Sequence, residues 1–158
     1  MEEKKQYSEI FIKLVRYCKY QERCKAEIES KLNKLGVDEK MKLAIVSELS
    51  ERNYFSNKRF SSEYTIGKFR NNNWGKIKIR YNLNYKFVEK NFIEEALKEI
   101  PEDEYRSTFK KIANKVWNSK SKLDLISRKK SFIKTLESRG WEFDLIYNFL
   151  LKNKENKI

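Results

Sequence analysis

The side chains whose types and spacing could do chemistry in this chain are cations interleaved with aromatic rings. Between Glu63 and Glu89 stand Lys68, Arg70, Lys76, Lys78, Arg80 and Lys86 with no acidic residue among them, and Trp74, Tyr81 and Tyr85 fall in between. A second acid-free run, Tyr105 to Leu123, carries Arg106, Lys110, Lys111, Lys115, Lys120 and Lys122. A third cluster is Arg128-Lys129-Lys130, with Lys134 beyond it. Ammonium and guanidinium groups neutralise phosphates or carboxylates, and flat rings receive cations or stack on bases. The chemistry open to these residues is recognition of a polyanion or of an acidic protein surface. The plain alternative stays open: lysines on helix backs are often just solvated, and Trp74 is also what a step from one helix to the next would bury. Cations at 76, 78, 80 and 86 do not all share one helical face, so only some of them can form a stripe.

Catalytic sets are missing by comparison. Histidine is absent, which removes the commonest general base and the commonest metal ligand. Cys18 and Cys24 are six residues apart with no second pair to complete a zinc site. On a helix they lie on different faces, so reduced thiols are expected. Glu94-Glu95 and Glu102-Asp103-Glu104 read as solvated or first-turn charges complementing a helix dipole. Neither phosphate-cradling glycine pattern, G-x-x-x-x-G-K or G-x-G-x-x-G, occurs. The expectation is a protein that is not an enzyme and needs no cofactor or metal. Its formal charge of +13 comes from 36 Lys and Arg against 23 Asp and Glu. That charge is weighted toward the end of the chain: +2 over 1–56, +5 over 57–100 and +6 over 101–158. No run of 18 apolar residues occurs, and Met1-Glu2-Glu3-Lys4-Lys5 does not open a signal peptide. A cytoplasmic protein without membrane contact is expected.

The elements that must position the cations are helices. Only four Gly and one Pro occur in 158 residues, few for a turn-rich β protein. Three segments superpose without gaps: Cys24 to Leu49, Gly75 to Ile100 and Arg128 to Asn153, offset by 51 and then 53 residues. In this register Ile28, Ile79 and Phe132 coincide, as do Leu32, Leu83 and Leu136, and Val37, Val88 and Trp141. Then follow Met41, Phe92 and Leu145; Ile45, Ala96 and Phe149; and Val46, Leu97 and Leu150. The spacings mark two helices showing one face to a core. Gly36 and Gly140 fall where a helix end wants the left-handed conformation. Phe87 occupies that position in the second copy, so its turn is expected to be made differently. A further helix precedes each pair, from Ser8 to about Tyr20, from Asn57 to about Arg70 with Ser56 or Asn57 as N-cap, and from Pro101 to about Trp117. Its inward residues are Ile10, Phe11, Leu14 and Val15 in the first copy and Phe60, Tyr64 and Phe69 in the second. In the third they are Tyr105, Phe109, Ile112, Ala113 and Val116. Asn71-Asn72-Asn73 and Ser119 to Lys122 read as loops. The fold class is therefore all-α, as three tandem three-helix repeats over 1–56, 57–100 and 101–158 forming an elongated, curved array.

These residues carry a resemblance to a known family. Asn57-Lys58-Arg59-Phe60-Ser61-Ser62-Glu63-Tyr64, then Trp74-Gly75 and the Lys78-Ile79-x-x-x-Leu83 helix, resembles the opening of the second module in RecX proteins. Glu27-Ile28-x-x-x-Leu32-x-x-Leu35-Gly36 is similar to the family's first-module run. Asn53-Tyr54-Phe55-Ser56 stands at the family's junction to the second module. Arg128-Lys129-Lys130 through Arg139-Gly140-Trp141 is similar to its third module. Asn57, Cys24 and Phe87 depart from the family's usual acidic, small and glycine residues. The resemblance covers about Ser8 to Leu151 and implies a cytoplasmic modulator of the RecA recombinase, acting in homologous recombination, DNA repair and the SOS response. It implies a protein that lies in the groove of the RecA–single-stranded DNA filament and restrains ATP hydrolysis, filament growth and strand exchange. With the basic runs, it points to Arg59, Lys68, Arg70, Trp74, Lys76, Lys78, Arg80, Lys110, Lys111, Arg128, Lys129 and Lys130 as partner- or DNA-binding residues. The partners implied are the RecA filament and single-stranded DNA, and the chain is expected to be a monomer. A helical repeat that binds DNA directly, without RecA, is the alternative.

Overall fold

The computed structural model describes residues 1–155, which form nine α-helices and no strand. The helices are α1 (Glu2–Tyr20), α2 (Lys25–Lys34), α3 (Glu39–Glu51), α4 (Asn57–Asn72) and α5 (Lys76–Tyr85), followed by α6 (Lys90–Lys98), α7 (Glu102–Ser119), α8 (Leu125–Ser138) and α9 (Phe143–Glu155). Residues 156–158, the end of the third sequence repeat, lie outside the described residues. Among the described residues no helix is long and apolar enough to cross a membrane.

Backbone contacts gather the chain into two compact units. One comprises Met1–Tyr64 and Leu83–Ala96; the other comprises Thr65–Asn82 and the described residues from Leu97 onward. In the first, α1 and α2 pack on α3. Its core is built from Ile10, Leu14, Cys18, Ile28, Leu32, Ile45, Val46, Leu49 and Phe55. In the second, α7, α8 and α9 pack on one another. Its core is rich in rings: Phe69 meets Tyr105, which meets Trp141, and Trp117 meets Phe132 edge-on.

Every aligned apolar column turns inward. Ile28, Ile79 and Phe132 are fully buried, as are Leu32, Leu83 and Leu136. Met41, Phe92 and Leu145 are half-buried alike. Truncating any of the three fully buried leucines to Ala should cost about 2–5 kcal/mol, because transfer and cavity terms add. The turns that follow these helices are equally alike. Gly36, Phe87 and Gly140 have φ of +68°, +57° and +82°. In each copy the N–H of this residue bonds back three positions, to Asn33, Asn84 or Glu137. The next N–H bonds back five, from Val37 to Leu32, from Val88 to Leu83 and from Trp141 to Leu136. This is the paired closure of a Schellman motif. The different turn expected at Phe87 is therefore corrected: phenylalanine takes the glycine conformation, against a steric cost of about 1–2 kcal/mol. The two hydrogen bonds and the buried Val88 hold it there.

Helix boundaries depart from the sequence reading at Ser8, at Asn71 and Asn72, and at Ser119, which ends α7 instead of opening a loop. Ser8 does not start α1; the helix begins six residues earlier with Glu2 and Glu3 in its first turn, and the Ser8 hydroxyl donates to the Lys4 carbonyl at 3.0 Å. Asn71 and Asn72 are helical rather than loop, and only Asn73 turns, with φ +55°. Asparagine tolerates that conformation better than most residues. At the other end of α4, Ser56 Oγ accepts the Arg59 N–H at 3.2 Å, so the serine acts as the cap.

Candidate functional site

Lys68, Trp74 and Lys78 come together in the second unit. Lys68 lies on α4, Lys78 on α5 and Trp74 on the short connection, and the indole receives both ammonium groups, Lys78 Nζ at 4.5 Å and Lys68 Nζ at 5.1 Å from the ring centroid. Lys78 Nζ also donates to the Ser138 carbonyl at 3.2 Å. Two cations over one indole raise the local positive potential while leaving all three side chains half-exposed.

This cluster is fixed by a close backbone approach. Gly75 N–H donates to the Arg139 carbonyl at 2.8 Å and Ile77 N–H to the Gly140 carbonyl at 3.1 Å, so the open N–H groups of α5 meet the carbonyls closing α8. A Cβ on Gly75 would lie 2.2 Å from the Gly140 oxygen, and one on Gly140 would lie 2.3 Å from Lys78 Cβ. Beside it, Tyr105 Oη accepts the Lys76 N–H at 2.9 Å and donates to Glu142 Oε2 at 2.6 Å. Burial, then the Glu142 carboxylate, push the Tyr105 phenol well above its ordinary pKa, so it stays a neutral donor.

The remaining predicted residues divide into those engaged internally and those displayed. Arg59 belongs to the first unit: its Nε meets Glu22 at 2.8 Å, and Nη1 and Nη2 meet the Asn53 side chain and carbonyl at 2.7 and 3.0 Å. Arg70 forks onto Glu104 with two bonds of 2.9 Å, which lowers the Glu104 carboxyl below its usual range. Lys76 Nζ lies 3.6 Å from Glu102 and 4.5 Å from the Tyr105 ring centroid. Arg128 closes the end of α7, giving Nε and Nη2 to the Trp117 carbonyl at 3.1 and 2.8 Å with its guanidinium 4.0 Å over the Trp117 ring. Arg80 and Lys129 are half-buried on α5 and α8, whereas Lys110, Lys111 and Lys130 stand exposed on α7 and α8.

A groove in the second unit adds Asn114, Asn148 and Lys152, which the sequence reading does not single out, to cations of the second acid-free run. It has a volume of about 490 Å³ and brings Lys110 together with Arg106, Asn114, Asn148 and Lys152, with no carboxylate in its lining. The signal was available in part, since Arg106, Lys110 and Asn114 follow one another at four-residue spacing and so share a face of α7. Among the described residues no three carboxylate, thiol or imidazole groups gather as a metal site. Cys18 and Cys24 are free and buried, and burial pushes the Cys18 thiol up to about 11, away from reactive thiolate.

No family model matches the chain. Over 122 residues it is 30% identical to the regulatory protein RecX of Clostridium botulinum (strain Eklund 17B), covering 76% of this chain and 57% of that protein. The chain thus spans little more than half the length of this relative. Over 123 residues it is 30% identical to the regulatory protein RecX of Chlorobaculum tepidum, covering 77% of this chain and 74% of that one. In fold it is similar to the crystal structure of RecX from Lactobacillus salivarius, with a TM-score of 0.78 at 22% identity, over 92% of this chain and 95% of the other. A second RecX crystal structure gives a TM-score of 0.80 at 19% identity, over 89% of this chain and 69% of that one.

Proposed function

The chain belongs to the RecX family of regulatory proteins, and from that premise we propose that it is a regulator of the RecA recombinase. It binds the RecA–single-stranded DNA filament as a cytoplasmic monomer and restrains ATP hydrolysis, filament growth and strand exchange. It acts by binding and not by catalysis. The observation that carries this reading is the 30% identity to the Chlorobaculum tepidum relative, extending over 77% of this chain and 74% of that one. The electrostatics support it. A chain of charge +13 is drawn to a filament of nucleic acid and protein, and long-range attraction accelerates such encounters.

The three sequence modules, 1–56, 57–100 and 101–158, are part of this proposal as the units by which the chain engages the filament. Within it, Lys68, Trp74 and Lys78 form one contact, and Lys110, Lys111 and Lys130 supply displayed charge. Arg59, Arg70, Lys76 and Arg128 support the fold at least as much as they present charge, since each already holds an internal partner.

Cosedimentation with ATP-loaded RecA filaments, compared with bare single-stranded DNA, tests the reading. Combined Lys110→Glu, Lys111→Glu and Lys130→Glu should weaken filament binding strongly and leave the unfolding free energy within about 1 kcal/mol, as exposed substitutions do. Filament binding undiminished by the three reversals overturns these contacts. Equal, salt-steep binding of the parent to bare DNA and to filaments favours direct DNA binding without RecA.

A further inference from the structure

The turn between α5 and α6 departs from its two counterparts in the residue that holds the left-handed position. Where the equivalent turns have glycine, this one holds Phe87 at φ +57°. The ring is not sheltered in return: Phe87 is 83% exposed and Tyr85, two residues before it, is 76% exposed. The two hydrogen bonds that close the turn would form equally around glycine, so they account for the backbone and not for an exposed phenylalanine ring, the pattern expected where a side chain is kept for an external contact.

What surrounds the two rings identifies the contact. They border a groove of about 560 Å³ in the first unit, within the size range of small-ligand sites, whose wall also includes Tyr17, Lys31, Lys34 and Lys86. Lys31 Nζ stands 5.5 Å from the Tyr17 ring centroid. The one carboxylate in the wall, Glu27, is already matched by Lys86 at 2.9 Å and by Arg23 at 4.0 Å. The groove therefore combines two open aromatic faces with the positive charge of Lys31 and Lys34. Flat apolar faces and cations along one channel fit a ligand that is flat, stackable and anionic at regular intervals.

We infer that Phe87 and Tyr85 form a base-stacking site for single-stranded nucleic acid, with Lys31 and Lys34 meeting the phosphates that flank the stacked base. Stacking on an exposed ring tolerates any base and requires unpaired ones, so the site takes single strands in preference to duplex. It lies entirely within the first unit and needs no recombinase.

The test uses the full chain, a fluorescent oligo-dT, a duplex of equal length and polyglutamate, with no RecA present. Phe87→Gly relieves the backbone strain, so its urea midpoint should rise while its affinity for oligo-dT falls about tenfold, the loss typical of one stacked base. Phe87→Leu keeps an apolar side chain without a π face and should lose affinity similarly. Lys31→Gln with Lys34→Gln should flatten the log–log salt slope by about 1.4, or 0.7 for each phosphate released. The inference is overturned if the parent fails to bind oligo-dT, or if Phe87→Gly binds it as tightly as the parent. It is equally overturned if the ring matters only for polyglutamate, which would make the groove an acidic-peptide site. Because RecA is absent, failure here leaves the filament reading standing, and success does not establish it.

Discussion

Replacing Gly75 with alanine isolates the contact that positions the Lys68–Trp74–Lys78 cluster. The added Cβ would lie 2.2 Å from the Gly140 oxygen, 2.4 Å from its carbonyl carbon and 2.6 Å from the Trp141 nitrogen, all of them backbone atoms that no rotamer change can move. Ordinary contact requires the start of α5 to retreat by about 1 Å, which stretches the Gly75–Arg139 and Ile77–Gly140 hydrogen bonds past useful length. Each bond is worth about 1 kcal/mol net, and a donor left buried without an acceptor costs about 1–3 kcal/mol. A loss of about 2–4 kcal/mol follows, or a fall in Tm of about 4–16 °C for a chain of this size. Gly67→Ala is the internal control, since its Cβ meets nothing within 4 Å inside α4 and should stabilise by about 0.5–1 kcal/mol. All three tryptophans, at 74, 117 and 141, belong to the unit that contains both Gly75 and Gly140, so urea unfolding followed by tryptophan fluorescence reads the relevant transition. A Gly75→Ala protein that unfolds within 0.5 kcal/mol of Gly67→Ala would refute the close-approach argument.

Further outcomes follow from neighbouring contacts. Tyr105→Phe removes the hydroxyl between the Lys76 N–H and Glu142 and should cost about 1–3 kcal/mol by calorimetry at neutral pH. Because folding raises the Tyr105 pKa, its contribution is fully present below the ordinary value of 10.0 and is lost as pH climbs from there toward the folded pKa. The parent should therefore weaken above pH 10 more steeply than the phenylalanine variant. Asn57→Asp should destabilise by about 1 kcal/mol at pH 7. Asn57 Nδ2 donates to Glu89 Oε2 at 2.9 Å, and an aspartate would set two carboxylates together there. Adding Glu89→Gln should restore most of the loss in a double-mutant cycle. Arg128→Lys keeps the charge but not the forked donation to Trp117 and should lower thermal stability by about 1–2 kcal/mol, whereas an unchanged Tm would return Arg128 to the displayed cations.

Helices and their buried faces were legible because periodicity is local. Leu32, Leu83 and Leu136 could be aligned by counting, and all three are fully buried. The Arg128 and Arg59 contacts were not legible, since a cation that closes a helix end or grips a loop looks the same in sequence as one left in water. Acid-free runs misled for a related reason. The carboxylates that engage Arg70 and Lys86 lie 34 and 59 residues away in the chain, so a run without acids in sequence is not one in space. At Phe87 residue type is a poor guide, because two hydrogen bonds and the buried Val88 enforce the turn. Asn57, which departs from the acidic residue of the family pattern, has its reason in Glu89 opposite, a partner that an acid could not serve. It also accepts the Lys25 N–H at 2.8 Å, so one side-chain amide joins the starts of α2 and α4 and reaches Glu89.

RecA-dependent ATP hydrolysis on single-stranded DNA, followed with and without the protein, separates a RecA regulator from a protein that only binds DNA. The rate should fall as the protein is added, and recover toward the RecA-only value when Lys110, Lys111 and Lys130 are reversed together. A hydrolysis rate indifferent to the protein, at concentrations where it binds bare DNA, would rule out regulation of RecA.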